Sequence, residues 1–245
     1  MSGLLQGLLE WLPVSSSGQV SLVLMGLLGV APDYAYRFSL FLHLGTAFSA
    51  LVWFRNRLLE ALHGGEVLGF LVYSYVASMA VGGPVYLAAS GLAVDRLTLI
   101  IGVLLVVTGL LLEASRRGNG AGDVPRPLDA VLVGVAQGFA VLPGLSRSAV
   151  TIAVLALRGY RPEAAVEYSF IASIPVTLTA GLYEALSGVG GGLEGVVASA
   201  AAFAAGLVSI GFMVGLARRV RLGPFLVALG LIILALYLPV LLGIV

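Results

Sequence analysis

Two short polar segments interrupt an otherwise apolar sequence and hold most of the residues able to do chemistry. The first surrounds Pro13-Val14-Ser15-Ser16-Ser17-Gly18 and carries Gln6, Glu10, Ser15, Ser16, Ser17 and Gln19. The second surrounds Pro143-Gly144-Leu145-Ser146-Arg147-Ser148 and carries Gln137, Ser146, Arg147, Ser148 and Thr151. Glu10 and Arg147 weigh most, because an ionisable group at membrane depth is costly and is a functional candidate by default. Gln6 and Glu10 are four apart, so on a helix they share a face. A helix starting near Ser17 or Ser148 turns free N–H groups and the positive end of its dipole toward an anion. Serine hydroxyls add donors, and Arg147 adds a planar, permanently charged fork suited to phosphate oxygens. The pattern is that of a phosphate-type anion site. A carboxylate beside such a site repels the anion unless a divalent cation bridges them. Glu10 therefore reads as a ligand of Mg2+ or Ca2+, or as a general base. Two plainer readings stay open: Ser/Gly clusters also serve helix packing, and Glu10 with Arg147 also makes a structural ion pair.

The elements that must position these residues are membrane helices. Sixty per cent of the 245 residues are apolar and 10% are charged, against about 25% charged in soluble domains. Mean hydropathy is +1.08. Six segments are long and uncharged enough to cross a bilayer: Phe38–Phe54, Val67–Gly91, Leu97–Leu112, Tyr168–Tyr183, Gly195–Ala217 and Leu222–Val245. The stretches Met1–Gly29 and Leu128–Leu157 each read as helix, polar break, helix. Their arms are short, about 10–14 residues, which suggests re-entrant hairpins rather than spans. There is no Cys, which excludes disulfides, thiol catalysis and thiolate metal sites. No Lys/Arg segment precedes the first apolar stretch, so no cleaved signal peptide is expected. The net charge of +1 carries no sign of a nucleic-acid partner, and none is expected.

The two halves repeat. Gly3-x-x-Gln6-Gly7 recurs as Gly134-x-x-Gln137-Gly138, Leu12-Pro13 as Leu142-Pro143, and Phe38-Ser39 as Tyr168-Ser169, at offsets of 130 or 131. Residues 1–115 form a first repeat (hairpin 1–30 plus three spans). Residues 128–245 form a second (hairpin 128–158 plus three spans), and 116–127 link them. Three spans is an odd number, so the second repeat is inverted relative to the first. The fold expected is an all-α membrane protein built as an inverted repeat of six transmembrane helices and two re-entrant hairpins, with the breaks meeting near the midplane. This topology puts Arg55, Arg57, Arg116, Arg117, Arg126, Arg158, Arg161, Arg218, Arg219 and Arg221 on one side and only Arg37 and Arg96 on the other. The Arg-rich side is then cytoplasmic. Both termini and the mouth of the first hairpin face outward across the plasma membrane.

The segment Gln6-Gly7-Leu8-Leu9-Glu10-Trp11-Leu12-Pro13-Val14-Ser15-Ser16-Ser17-Gly18 resembles the first signature of the undecaprenyl-pyrophosphate phosphatases, the bacitracin-resistance family. Pro143-Gly144-Leu145-Ser146-Arg147-Ser148-Ala149-Val150-Thr151 resembles the second. The resemblance runs over nearly the whole chain. It implies a membrane phosphatase that removes the terminal phosphate from a polyprenyl pyrophosphate on the outer face, with divalent-metal dependence and usually a homodimer. It further implies Glu10 and Gln6 as the acidic/metal motif, Ser16 as candidate nucleophile and Arg147 as phosphate clamp. Ser146, Ser148 and Thr151 would line the second half of the site; the polar pattern of the breaks, apart from the resemblance, adds Ser15, Ser17, Gln19 and Gln137 as candidate substrate contacts.

One position departs from that pattern. The family usually has His where this chain has Gln19, and His43 stands where the family commonly has Gln. Three readings follow: the imidazole has moved to position 43 and still reaches Ser16, His43 only hydrogen-bonds within the bundle, or Glu10 or a metal-bound water supplies the base. His63, in a predicted cytoplasmic loop, has no role. Attack by Ser16 through a phosphoserine and direct attack by an activated water both remain possible mechanisms. A second function also fits the architecture, a carrier that flips polyprenyl phosphate with little or no hydrolysis. Gly211 and Gly215 offer a small-residue stripe for a dimer.

Overall fold

Every described element is helical, and no strand occurs among the described residues of this computed structural model. These are residues 1–13, 15–62, 65–88, 102–103, 106–107, 109–110, 113, 124–142, 145–217 and 222–241. The helices are α1 (Ser2–Leu9), α2 (Ser16–Leu28), α3 (Pro32–Trp53), α4 (Arg55–Leu62), α5 (Glu66–Ala88), α6 (Pro127–Phe139), α7 (Arg147–Leu157), α8 (Pro162–Leu186), α9 (Leu193–Ala217) and α10 (Leu222–Leu241). Most of the expected span Leu97–Leu112 and of the linker 116–127 lies outside the described residues. So do Arg96, Arg116, Arg117, Arg218, Arg219, Arg221, His63, and Val14, Pro143 and Gly144 of the breaks.

Three helices, α5, α8 and α9, are long and apolar enough to cross a bilayer, and α3 with α4 makes a fourth if the 74° bend between them counts as one span. The chain is a multi-pass membrane protein. These helices correspond to four of the six expected spans. A fifth, Leu97–Leu112, falls mostly outside the described residues, and the sixth corresponds to α10, which contains the shorter apolar stretch Gly223–Ala235. Helix α8 is the central one: 61% of its apolar window is buried, against 28% for α5 and 33% for α9. The outward faces of α5 and α9 carry exposed Val72, Val76, Val196, Val208 and Phe212, a surface suited to lipid.

Around each break the helices are short, as expected. Helices α1, α2, α6 and α7 have 8, 13, 13 and 11 residues. Helix α3 starts at Pro32, six residues ahead of the apolar segment, because Pro at its start and Asp33 in its first turn suit a helix N-terminus.

The halves interlock reciprocally. Helix α1 of the first packs on α9 of the second, and α6 of the second packs on α5 of the first. The glycines of the repeated motif permit this. A Cβ on Gly3 would lie 1.9 Å from the Ala198 carbonyl oxygen, and one on Gly7 2.4 Å from that of Ala202. In the other half a Cβ on Gly134 would lie 2.3 Å from the Ser74 carbonyl oxygen, and one on Gly138 2.7 Å from Val81. Small residues four apart let helix backbones touch. A Cβ on Gly211 would lie 2.8 Å from the Trp53 ring, whereas one on Gly215 would meet nothing within 4 Å.

Candidate active site

The two breaks meet. Helix α1 ends at Leu9 with Glu10 as its C-cap, and the chain then turns through Pro13 to Ser15, which adopts the left-handed conformation at φ 58° and ψ 78°. Ser15 is the one non-glycine residue with positive φ among the described residues. That conformation costs about 1–2 kcal/mol for an L-residue, and it starts α2 at Ser16. Helix α7 starts at Arg147, with the Ser146 hydroxyl capping it by accepting from the Ala149 N–H at 3.3 Å. Both helix starts lie one residue ahead of the expected Ser17 and Ser148, so Ser16 and Arg147 themselves occupy the N-terminal turns.

These two N-termini open on one cleft. Its polar lining is Glu10, Ser15, Ser16, Ser17, Tyr36, His43, Ser146, Arg147 and Ser148, with Leu12, Leu40, Ala140 and Leu145 between them. Glu10 organises the lining and is only 5% exposed. Its Oε2 accepts from the Ser16 hydroxyl at 2.6 Å and from Gln6 Nε2 at 2.8 Å, and faces His43 Nε2 at 3.3 Å. Its Oε1 pairs with Arg147 Nη2. The Arg147 guanidinium also reaches the Ser169 carbonyl at 3.5 Å and lies 5.5 Å from the centre of the Trp11 ring.

Further bonds stitch one break to the other. The Ser148 hydroxyl donates to the Leu12 carbonyl at 3.0 Å, and the Tyr36 hydroxyl donates to the Val141 carbonyl at 2.6 Å. The tautomer of neutral His43 follows from one contact. A carbonyl only accepts, so the 2.8 Å contact from Nδ1 to the Ser39 carbonyl puts the ring proton on Nδ1. The Nε2 lone pair then faces Glu10. His43 lies about three turns into α3.

The structure brings Glu10, Gln6, Ser15, Ser16, Ser17, His43, Ser146, Arg147 and Ser148 together. It does not bring three other candidates to the cleft. Gln19 is exposed on α2. Gln137 is buried, donating to the Ser78 hydroxyl at 2.9 Å and the Ala172 carbonyl at 3.3 Å. Thr151 Oγ1 is 2.6 Å from the Ser169 hydroxyl. Tyr36 and Trp11 are at the site although the polar pattern did not single them out. Tyr36 stands one turn from Ser39 on the same helix, and Trp11 directly follows Glu10.

The donor set suits a hard cation. Gln6 Oε1 and Ser15 Oγ are buried oxygens with no hydrogen-bond partner, beside a carboxylate and further hydroxyls. Among the described residues no three His, Cys, Asp or Glu cluster. A cation here would thus be held by Glu10, Gln6 and hydroxyl oxygens, with the rest supplied by substrate and water, as Mg2+ commonly is.

The same sequence is matched over residues 1–236 by the family described as bacitracin resistance protein BacA. A relative from Methanothrix thermoacetophila, named undecaprenyl-diphosphatase, is 37% identical over 240 residues, covering 96% of this chain and 94% of the relative. Relatives of the same name from Methanococcoides burtonii and Pyrobaculum aerophilum are 36% and 35% identical. They cover 94% and 95% of this chain and 94% of their own lengths. With both signature segments folded into one cleft and a match along almost its full length, the chain belongs to the bacitracin resistance protein BacA family.

Proposed function

We propose that this chain is an integral membrane phosphatase that hydrolyses a polyprenyl pyrophosphate of the undecaprenyl type to polyprenyl phosphate and inorganic phosphate, recycling a lipid carrier. The observation that carries the reading is the buried Ser16–Glu10–Arg147 constellation at two converging helix N-termini. Hydrolysis rather than transport is what the relatives' names support.

In this reading the pyrophosphate takes the Arg147 fork from Glu10 and lies against the N–H groups of α2 and α7. Ser16 Oγ attacks the terminal phosphorus while its proton passes to Glu10 Oε2. The bond from that phosphorus to the bridging oxygen breaks, and polyprenyl phosphate leaves with the electron pair. His43, with Nε2 facing Glu10, takes over the proton that Glu10 holds and releases it to solvent. Water then attacks the phosphoserine phosphorus while Glu10 takes one of its protons; the bond from Ser16 Oγ to phosphorus breaks, Oγ receives that proton from Glu10, and inorganic phosphate leaves. Ser15, Ser17, Ser146 and Ser148 donate to phosphate oxygens. Glu10 and Gln6 would hold a divalent cation, Mg2+ or Ca2+, which would supply charge neutralisation for the pyrophosphate.

The repeats are inverted in this account, the hairpins re-entrant and the cleft open to the outer face, with both termini outside. The reciprocal packing of α1 on α9 and α6 on α5 and the uneven distribution of Arg support this arrangement. A homodimer rests on family resemblance alone. The functional test is phosphate release by the purified protein in detergent, given polyprenyl pyrophosphate and Mg2+. Release is expected, whereas lipid movement in vesicles without release contradicts the reading.

A further inference from the structure

The proposed reaction leaves one buried aromatic ring unexplained. Trp11 is fully buried and is wedged against Phe170, ring centroids 4.7 Å apart. Its indole N–H has no acceptor, although a buried Trp ordinarily finds one. The ring is therefore not held here by its polar end. What it presents to Arg147 is its face, and the guanidinium lies over that face at 5.5 Å.

We propose that Trp11 is the positioning residue for Arg147: its face is a shelf that keeps the guanidinium at the phosphate subsite while its anionic partner changes from Glu10 to substrate. The inference rests on the phosphatase reading of the cleft. The Arg147 guanidinium meets the Glu10 carboxylate, the Ser169 carbonyl at 3.5 Å, and the Trp11 ring. Phosphate competes directly for the N–H groups that hold Glu10, so that contact is surrendered on binding. The ring contact uses no N–H group and is retained in both states. The Arg147 side chain is 12% exposed, and a cation–π contact is strongest where water is excluded. Because Trp11 directly follows Glu10, one backbone turn sets both the exchangeable partner and the permanent one. An aliphatic side chain of similar volume would fill the space without the negative face.

Graded fluorination of the ring separates this role from packing, since it withdraws charge from the face with little change of shape. Trp11 and Trp53 are the only tryptophans. Trp53 does not line the cleft, so Trp53→Phe leaves Trp11 as the single site of incorporation. The Trp53→Phe protein is prepared with tryptophan and with mono-, di- and tetrafluorotryptophan, and kcat and KM for phosphate release from polyprenyl pyrophosphate are compared. The expected result is a stepwise rise in KM reaching about tenfold, the ratio for a cation–π contact of intermediate strength, with kcat changed less than about twofold. A KM that does not follow the degree of fluorination overturns the shelf while leaving the phosphatase reading intact. Absence of phosphate release from the unfluorinated Trp53→Phe protein overturns both.

Discussion

The Glu10–Arg147 pair should behave as a buried ion pair whose partners are each harmful alone. In Arg147→Met, Oε1 of Glu10 loses its one partner, and a carboxylate 5% exposed loses the guanidinium that faces it. Removing one member of a buried pair costs about 3–5 kcal/mol. The lower end applies here, about 3 kcal/mol, because Oε2 keeps its hydrogen bonds from Gln6 and Ser16. In Glu10→Gln the guanidinium is left with a carbonyl at 3.5 Å and the Trp11 face, a loss of about 2–3 kcal/mol. In the double variant neither charge remains, and the net loss falls to about 1 kcal/mol. At roughly 2–4 °C per kcal/mol for a chain of this size, Arg147→Met should lower Tm by about 6–12 °C. The double variant should lower it by about 2–4 °C. Thermal melting of the purified proteins in one detergent gives the four values. A double variant that melts below both singles, with additive losses, refutes the reasoning.

Replacing His43 with Gln should lower phosphate release, because the imidazole Nε2 faces the Glu10 carboxylate at 3.3 Å. Unchanged turnover takes His43 out of the mechanism. Asp129 lies in the first turn of α6, outside the span-length helices, where it accepts from the Tyr160 hydroxyl at 2.6 Å, from Arg158 and from the Arg126 N–H. Burial pushes its carboxyl pKa up, but the bonds from Tyr160, Arg158 and the Arg126 backbone outweigh this and hold it below the ordinary value. Its contribution to stability is therefore present above the unfolded-state value and is lost as pH falls through the lowered folded value. A plot of Tm against pH should lose part of its acid slope in Asp129→Asn. Gly3→Ala and Gly134→Ala should each destabilise by about 1–3 kcal/mol, since the new methyl meets backbone oxygen. Gly83→Ala, with nothing within 4 Å, should melt no lower than the parent, a contrast that melting curves measure directly.

The breaks and their pairing were legible because membrane sequence is quiet: against an apolar background, Glu10 and Arg147 stand out and each needs a partner. Helix ends were less legible. The apolar window stops at Phe38 because Asp33, Tyr34 and Arg37 are polar, yet α3 continues back to Pro32, and Arg37 is accommodated by buried Glu184 at 2.8 Å. Repetition misled at Gln137. It repeats Gln6, but four residues on stands Val141 where the first half has Glu10, so no carboxylate joins it and the side chain serves Ser78 instead. Thr151 likewise pairs with Ser169. Tyr36 at the cleft and Trp11 behind Arg147 are placed by contacts with residues more than 100 positions away, which no local pattern encodes. His43 was visible as an odd histidine in a span, but its contact with Glu10 depends on how α1 packs against α3.

The most direct test of the central claim compares phosphate release from polyprenyl pyrophosphate by the parent protein and by Ser16→Ala, under identical detergent and Mg2+ conditions. The account predicts steady release by the parent and a fall of at least about a thousandfold in the variant, the scale on which losing a nucleophile acts. Release by Ser16→Ala at the parent rate would contradict it.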